Sequence, residues 1–298
     1  MIKKKIAGIG ELLWDVLPQG KQMGGAPCNF AFHAMQAGND AYVISAIGSD
    51  PDGEEILGVM DHLGLRKDYI QLNPEYPTGT VTVTLDEEGI PAYTIHENVA
   101  WDYIAWNEKL KKLAPELDAV CFGSLAQRSE VSGQSIRTFL ETTRADCLRV
   151  YDINLRQAFY HKENILASLE LSNVLKLNED ELPVLAGFLD LAGDEESLLR
   201  RLLNDHQLKL IAYTKGGQGS WLMTQKELSQ CEVPQVKIAD TVGAGDSFTA
   251  TLLAGILNEL PLKKVHKIAT DVAAYVCSQH GATPKLPSVL LEQLSSRQ

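Results

Sequence analysis

The chain has 298 residues, of which 45% are hydrophobic, enough for one large α/β domain or two small ones. Its formal net charge of −12, from 27 basic and 39 acidic residues, argues against nucleic acid or an anionic membrane as the main partner. The five cysteines are scattered without a C-x-x-C pair, which favours reduced thiols in the cytoplasm and no zinc site.

The first predicted element is a buried strand over the apolar run Ile6-Ala-Gly-Ile-Gly10. Gly8, Gly10 and Glu11 interrupt the run, so we expect neither a signal peptide nor a membrane span here. Gly8 and Gly10 begin a G-x-G pattern, but Leu13 stands where a dinucleotide-binding fingerprint needs its third glycine. The sequence therefore does not favour a dinucleotide-dependent oxidoreductase.

A glycine pair precedes the first predicted helix, in the stretch Gly24-Gly-Ala-Pro-Cys-Asn29. Pro27 suits a first helical turn, because its missing N–H would be unpaired there anyway. The helix continues through Met35 and ends at Gly38.

A predicted hairpin departs from the rhythm of the chain. Tyr42 to Ile47 is predicted as a strand and Gly53 to Leu63 as a helix, but Val81 to Leu85 then alternates strictly between apolar and polar residues. We predict a turn at Glu88-Gly89 and a returning strand over Ala92 to Ile95. These strands predict a small sheet beside the main body.

From residue 107 onward, strands and helices alternate again. The predicted strands are Ala119–Phe122, Arg149–Ile153, Val174–Leu177, Lys209–Thr214 and Ser220–Met223. The predicted helices are Ser132–Thr143, Glu163–Leu171, Glu179–Ala186, Glu195–Asn204, Ala244–Leu257 and Leu262–His280. Such alternation predicts an α/β fold with a mostly parallel sheet and helices on both faces.

Polar and glycine residues follow one predicted strand after another. They are Gly123, Ser124, Asn154, Arg156, Asn178, Glu181 and the run Lys215-Gly-Gly-Gln-Gly219. Because ligands bind beyond the carboxyl ends of the strands in such sheets, we expect the functional site at this edge.

The loop Asp240-Thr-Val-Gly-Ala-Gly-Asp-Ser-Phe248 runs straight into a helix that begins near Ala244. Gly243 and Gly245 would let its N–H groups approach a ligand closely. The first turn of a helix attracts phosphate, because its N–H groups are unpaired and carry partial positive charge. Asp246 adds a carboxylate, although aspartate is also favourable there on structural grounds alone. We interpret the loop as a phosphate cradle with a built-in base.

This loop and the stretch around the glycine pair resemble the two signatures of the PfkB-type, ribokinase-like carbohydrate kinases. The resemblance runs from Gly8 to about Gly281. It implies one ribokinase-like domain over residues 1–298, with a small β-sheet lid whose elements lie around residues 11–20 and 78–100. It also implies which residues do the chemistry: an anion hole formed by Gly243, Ala244 and Gly245, and a catalytic base, Asp246.

The resemblance implies a sugar site as well. Its members would be Asp15, Gly24, Gly25, Asn29 and Arg156. Asp152-Ile-Asn-Leu-Arg156 resembles a segment common in fructokinase-like members of the family. Considered alone, Asp15 reads as a turn residue and Arg156 as a surface arginine.

Two further stretches resemble the nucleotide site of the family. Asn178-Glu-Asp-Glu181 resembles the N-x-x-E motif, in which Glu181 would hold Mg²⁺ through water, and Thr214-Lys-Gly-Gly-Gln-Gly219 resembles the loop along which ATP lies. The implied ATP-binding residues are Asn178, Thr214, Lys215, Gly217 and Gly219. Without the resemblance, these stretches read as an acidic helix start and a glycine hairpin.

Some members of the family hold K⁺ near the anion hole, which implies a potassium site at Asp240, the Val242 carbonyl and Gly281. The lid would rotate about a hinge at Thr78-Gly-Thr80. Its apolar face of Val81, Val83 and Leu85 would bury itself against a second subunit's lid, giving a homodimer.

The resemblance implies a cytoplasmic, ATP-dependent sugar kinase that makes fructose 6-phosphate from fructose, with ATP and Mg²⁺ as cofactors. The alternatives within the family are a ribokinase, a ketodeoxygluconate kinase and a nucleoside kinase, the last of which would need an aromatic slot for the base. An alternative of a different class is a non-catalytic sugar-binding regulator, which would normally lack the base that Asp246 provides.

Overall fold

The computed structural model describes residues 3–17, 20–85 and 91–295. The strands in these ranges are β1 Lys5–Ile9, β2 Leu13–Leu17, β3 Gly20–Gly24, β4 Asp40–Gly48, β5 Ile70–Asn73, β6 Gly79–Leu85, β7 Pro91–Ile95, β8 Ala119–Phe122, β9 Leu148–Asp152, β10 Val174–Asn178, β11 Leu210–Thr214, β12 Ser220–Met223 and β13 Leu228–Cys231. The α-helices are α1 Ala26–Gln36, α2 Pro51–Leu63, α3 Glu108–Leu113, α4 Glu130–Thr142, α5 Lys162–Leu171, α6 Glu181–Phe188, α7 Glu195–Asp205, α8 Ala244–Leu257, α9 Leu262–Cys277 and α10 Ser288–Ser295. The turn predicted at Glu88-Gly89 lies outside the described residues.

Nine strands form the main sheet, in the order β13-β12-β11-β10-β9-β8-β1-β4-β5. Every neighbouring pair from β11 to β5 is parallel, whereas β12 and β13 add antiparallel strands at one edge. Because β1 pairs with β4 on one side and β8 on the other, the chain builds outward from β1 in both directions. The carboxyl end of β1 is therefore a topological switch point, where such sheets bind ligands.

Each face of the main sheet carries its own hydrophobic cluster. Leu175 of β10 belongs to the cluster that includes Phe139 of α4, while Val174 belongs to the one that includes Phe30 of α1 and Phe248 of α8. Alternate residues of one strand thus enter opposite layers. The predicted mostly parallel sheet with helices on both faces is confirmed.

A small sheet of four strands lies apart from the main one, in the order β3-β2-β6-β7. Its β6–β7 hairpin was predicted, and β2 lies in the segment around residues 11–20 that the resemblance assigned to the lid, whereas β3 was not predicted as a strand. The parallel register of β2 and β6 places Asp15 beside Val81, and β7 places Ile95 on the other side of Val81. Asp15 therefore shares a face of the small sheet with the apolar residues of the hairpin.

That apolar face is covered within the chain. Val81 and Val83 are each 6% exposed, and Val81 packs in one cluster with Leu13, Ile95 and Trp101. The chain's own core therefore covers Val81, and burial of these two valines does not require a second subunit. The homodimer itself stays a prediction.

The segment predicted as a hinge, Thr78-Gly-Thr80, is held by hydrogen bonds and close packing. The carboxylate of Asp50 accepts hydrogen bonds from the Thr78 N–H at 2.8 Å and from its hydroxyl at 2.6 Å. A methyl group on Gly79 would collide with the Trp101 ring. The glycine therefore permits close packing here, and rotation about this segment stays a prediction.

Arg128 anchors the other end of the hairpin. Its guanidinium pairs with Asp102 at 2.8 Å, and both side chains are only 6% exposed. It also donates to the His96 carbonyl at 2.6 Å, directly after β7. The guanidinium lies over the Trp101 ring at 4.0 Å and the Phe159 ring at 4.6 Å. The root of the small sheet is thus fixed to the main body on both sides.

The five cysteines all lie within the described residues and none forms a disulfide. In the described part of the chain, no helix combines the length and the apolar character that crossing a bilayer would require.

Candidate active site

The loop before α8 offers backbone N–H groups to a ligand. Gly243 has a left-handed φ of 78°, and a methyl group there would lie 2.6 Å from the Ala282 carbonyl oxygen. Among the described residues, the N–H groups of Gly243 and Gly245 donate to no protein acceptor, whereas Ala244 donates to the Thr241 carbonyl at 3.3 Å. Two of the three predicted amides are therefore open to an anion.

Asp246 lies in the first turn of α8 and is half-buried. Burial raises the pKa of its carboxyl group to about 6, and the negative charge of Asp152 adds to the rise. A hydrogen bond from Asn29 and the positive charges of Lys176 and Arg156 act in the opposite direction. The carboxylate is thus ionised at neutral pH but closer to its pKa than an exposed aspartate, as a proton acceptor should be.

Asn29 was predicted to bond sugar hydroxyls, but its amide Nδ2 donates to Asp246 Oδ2 at 2.9 Å. The side chain is 4% exposed, and its Oδ1 is buried without a hydrogen-bond partner in the described part of the chain. Asn29 therefore holds the carboxylate of Asp246 and joins α1 to α8.

The start of α1 is built around Glu11, which the sequence did not single out. Its Oε1 accepts a hydrogen bond from the Ala26 N–H at 3.2 Å, and burial raises the pKa of its carboxyl group to about 7. Gly25 has a φ of 115°, and a methyl group there would collide with the Glu11 carbonyl oxygen. The position of Glu11, two residues after the end of β1, was the signal that could have revealed it.

Asp15 projects from β2 towards the glycine pair. A methyl group on Gly24 would collide with the Asp15 carboxylate, so only glycine leaves room for it. Burial raises the pKa of Asp15 to about 6, and the charge of Arg156 partly offsets the rise. The structure thus brings together Asp15, Gly24 and Gly25, as predicted.

Arg156 is exposed and lies in the loop after β9. Its guanidinium donates to the Leu155 carbonyl at 3.2 Å and to Asn154 Oδ1 at 3.3 Å. Its positive charge offsets part of the rise in pKa of Glu11, Asp15 and Asp246. Arg156 is therefore close to this carboxylate group, as its predicted role requires.

The loop that carries Arg156 also reaches the small sheet. The Gln157 side chain donates from Nε2 to the Tyr93 carbonyl of β7 at 2.5 Å. Gln157 adopts a left-handed φ of 50°, which is uncommon for a residue with a side chain. Tyr93 lies on the same face of the small sheet as Val83 and is 56% exposed.

Asn178 and Glu181 are bound mainly to each other. Asn178 Oδ1 accepts from the Glu181 N–H at 3.0 Å, and Glu181 Oε2 accepts from the Asn178 N–H at 2.8 Å. Glu181 Oε1 accepts from the Leu155 N–H at 3.1 Å. Glu181 is 3% exposed, and burial raises its pKa. Both carboxylate oxygens of Glu181 are engaged, so direct metal coordination fits poorly, and the contact with Mg²⁺ through water stays a prediction.

The glycine loop after β11 is closed by a hydrogen bond and packs against a neighbouring strand. The Lys215 N–H donates to the Gly219 carbonyl at 2.8 Å, and a methyl group on Gly219 would collide with the Cys231 carbonyl oxygen. The Lys215 ammonium pairs with Glu195 at 2.8 Å. Gly217, in contrast, borders open space. Close packing against β13 thus accounts for Gly219, and Gly217 is the position at which a ligand has room. Thr214 is the last residue of β11 and directly precedes this loop.

The three residues predicted to hold K⁺ lie together. Asp240 Oδ1 accepts from the Val242 N–H at 3.0 Å, and its Oδ2 accepts from the Gly281 N–H at 3.2 Å. Both carboxylate oxygens are engaged, so a cation there would rely on neighbouring carbonyl oxygens. The described residues contain no group of three or more histidine, cysteine or acidic side chains able to hold a metal ion.

The known proteins that this chain resembles in sequence and in structure are described as carbohydrate kinases. A model described as pfkB family carbohydrate kinase matches residues 10–289. A fructokinase of Salmonella typhimurium is 28% identical over 294 residues, covering 94% of each chain. The crystal structure of an uncharacterized sugar kinase from Pyrococcus horikoshii in complex with ATP is 27% identical, with a TM-score of 0.81 over 93% of this chain and 94% of that one. A fructokinase from Xylella fastidiosa with bound ATP shares the fold, with a TM-score of 0.85 at 20% identity over 98% of each chain.

Proposed function

The chain belongs to the pfkB family of carbohydrate kinases and is an ATP-dependent kinase; from this premise, we propose that it phosphorylates fructose on a primary hydroxyl, giving fructose 6-phosphate. The relatives named fructokinase support this choice of sugar at about 28% identity. We place the enzyme in the cytoplasm, in keeping with its five free thiols.

The observation that carries the proposal is the hydrogen bond between Asn29 and Asp246. It joins the helix that starts at the glycine pair to the helix that starts at the unpaired amides. The sugar side and the phosphate side of the cleft therefore meet at one carboxylate, which is the arrangement that transfer between two bound substrates needs.

In this proposal Asp246 accepts the proton of the attacking hydroxyl, a role worth roughly 10²–10⁴-fold in rate. The N–H groups of Gly243 and Gly245 meet the charge on the transferring phosphoryl group, as an oxyanion hole does. Positioning and charge stabilisation carry most of phosphoryl transfer, because little covalent chemistry is left to the protein. The Ala244 N–H would join this set only after leaving the Thr241 carbonyl.

The charges around the sugar side favour a neutral substrate. Glu11, Asp15 and Asp246 bring three carboxyl groups to this region, and burial raises the pKa of each. Arg156 is the cation that acts on all three. A sugar acid such as ketodeoxygluconate would add a further negative charge here. The hydroxyl groups of fructose are neutral and would form hydrogen bonds with these carboxyl groups and with Arg156.

The nucleotide would lie along Asn178, Thr214 and Gly217, where the loop borders open space. Mg²⁺ would be held by the phosphates and by water bound to Glu181, and would neutralise phosphate charge. K⁺ would be held beside the loop by carbonyl oxygens near Asp240, Val242 and Gly281, keeping the loop in place without contacting the sugar.

A nucleoside kinase is the second candidate, because of Tyr93. Its ring is 56% exposed on the face of the small sheet that also carries Asp15, and an aromatic ring there could stack on a flat base.

A substrate panel tests these proposals in one experiment. ADP release would be measured with fructose, ribose, ketodeoxygluconate and a purine nucleoside, each in K⁺ and in a large organic cation at matched ionic strength. We expect fructose to give the highest kcat/KM and K⁺ to raise the rate. A tenfold higher kcat/KM for another substrate would refute the choice of fructose, and equal rates in both cations would remove the potassium site.

A further inference from the structure

A buried ion pair lies beneath the start of α8. Lys176 of β10 and Asp152 of β9 are direct neighbours in the parallel register, with 2.9 Å between Nζ and Oδ1. They are 5% and 3% exposed. Val174, two residues before the lysine on the same face, packs in the cluster that contains Phe248 of α8. Both charged side chains therefore project into the layer of α8.

Stability does not account for this pair. Removing two charges from water costs about as much as their attraction returns, and well-packed apolar residues often do as well or better. The neighbouring positions Val150 and Val174 are apolar on the same face and show that the layer accepts such residues. The position of the charges therefore calls for a different reason.

The lysine ammonium lies directly against the loop with the unpaired amides. A methyl group on Gly245 would be 3.2 Å from Lys176 Nζ. The Gly245 N–H donates to no protein acceptor among the described residues. Lysine carries three N–H donors, and one of them is directed to Asp152. Ammonium protons and a free backbone amide thus lie together at the base of α8.

The surroundings of this lysine are acidic. Burial alone would lower the pKa of Lys176, but the carboxylates of Asp152, Glu181 and Asp246 hold it above its ordinary value. The ammonium is therefore charged at neutral pH. Without it, a polyphosphate entering this end of the cleft would face three carboxylates, with Arg156 as the remaining cation that acts on Asp246.

We propose that Lys176, held in place by Asp152, is a further catalytic residue whose ammonium contacts the γ-phosphate of ATP at the Gly243–Gly245 amides. The inference rests on the proposed function of that loop. The lysine stays protonated throughout. The sugar oxygen forms a bond to the γ-phosphorus, the bond from that phosphorus to the β–γ bridging oxygen breaks, ADP leaves, and the hydroxyl proton goes to Asp246.

Three variants separate this role from a structural one. Lys176→Met alone leaves a buried unpaired carboxylate and can fail to fold. Lys176→Met combined with Asp152→Asn removes both charges while keeping similar volume, and Lys176→Arg keeps the charge. Arg128→Met combined with Asp102→Asn is the matched control, because it neutralises an equally buried ion pair at the root of the small sheet.

The first readout is the ratio of ATP to ADP affinity, measured by calorimetry with Mg²⁺ and no sugar. Loss of a charge-assisted contact to the γ-phosphate should weaken ATP binding by roughly tenfold or more and ADP binding much less. We expect this change in the Lys176→Met/Asp152→Asn protein, a partial return in Lys176→Arg, and an unchanged ratio in the control pair.

The second readout is turnover of the best substrate in the sugar panel. We expect kcat of the doubly neutralised variant to fall by at least roughly tenfold while the sugar KM stays near the wild-type value. If this variant folds with wild-type kcat and a wild-type ATP-to-ADP ratio, the pair is structural and the inference is wrong. Failure of the wild type to phosphorylate any sugar would count against the proposed function instead, because the affinity ratio needs no sugar.

Discussion

Two glycines of the loop before α8 are required for different reasons. Gly243 has a left-handed φ of 78° and packs against the Ala282 carbonyl, so any side chain there is strained twice. Gly245 lies within the first helical turn, and a methyl group there would meet only the flexible end of Lys176, 3.2 Å from Nζ. A side chain at this position would hinder a ligand from reaching the N–H group of Gly245, but it would not strain the backbone.

We therefore expect Gly243→Ala to lower both stability and activity, with at least roughly 1–2 kcal/mol lost to the left-handed conformation alone. Gly245→Ala should keep or slightly raise Tm, because alanine favours a helix, yet lower kcat by displacing the lysine and narrowing the anion site. Thermal unfolding and steady-state kinetics on both variants check this. Equal losses of Tm in the two variants would show that backbone strain does not set Gly243 apart from Gly245.

Single residues could be proposed for the site where a local motif pointed to them, but not where a contact with a residue distant in sequence decides what they bind. Asp246 and the glycine pair follow from local patterns. The contact of Asn29 with Asp246 joins residues 217 positions apart, and no local pattern reveals it. Glu11 was overlooked because a lone acidic residue after a strand is common. Its hydrogen bond from the Ala26 N–H shows that it lies at the start of α1.

At the scale of elements, the small sheet is the part that could move over the sugar. Its root is tied by Asp50 and Arg128, which leaves its outer part as the mobile candidate. The contact between Gln157 and the Tyr93 carbonyl links that part to the loop that carries Arg156. We propose that the sheet closes as a lid and that Gln157 fastens it, which would exclude water from the cleft.

Hydrogen exchange with and without fructose tests the lid. We expect the sugar to add protection in residues 78–85 and 91–100, and Gln157→Ala to reduce this gain. Gln230→Ala, an exposed glutamine on the edge strand β13, is the control and should leave the gain unchanged. Identical exchange in the presence and absence of saturating fructose would contradict lid closure.

The elements themselves were predictable in proportion to the strength of their patterns. The alternation in β6 and the helical spacing in α9 were clear, and both elements are present. The strands β2 and β3 contain Asp15, Lys21 and Gln22, whose polarity suits a loop as well as a strand, and their pairing with β6 is set by tertiary contacts. The strands β5 and β13 have four residues each, two of them polar, and so lack the apolar run that revealed the equally short β8 and β12.

At the scale of the whole molecule, the alternation of strands and helices was enough to predict the sheet and its two covered faces. The order of the strands was not predictable in the same way, because it depends on which way the chain turns after β1. In that order β1 lies in the interior of the sheet, between β8 and β4, so Glu11 follows its carboxyl end close to the loop after β9 and the start of α8. Residues from distant parts of the chain therefore share one cleft.

We propose that this molecule transfers a phosphoryl group from ATP to a sugar with Asp246 as the proton acceptor. The most direct test is the pH dependence of fructose-dependent ADP release, with fructose 6-phosphate identified as the product, for the wild type and Asp246→Asn. The asparagine variant should fold, since a neutral amide avoids the desolvation that raises the pKa of Asp246 to about 6.

For the wild type, we expect kcat/KM to be constant above this pKa and to fall roughly tenfold per pH unit below it, because only the ionised carboxylate accepts a proton. Asp246→Asn should lose roughly 10²–10⁴-fold in kcat and show no such decline. A folded Asp246→Asn protein that retains near wild-type turnover, with the same decline at low pH, would contradict the account.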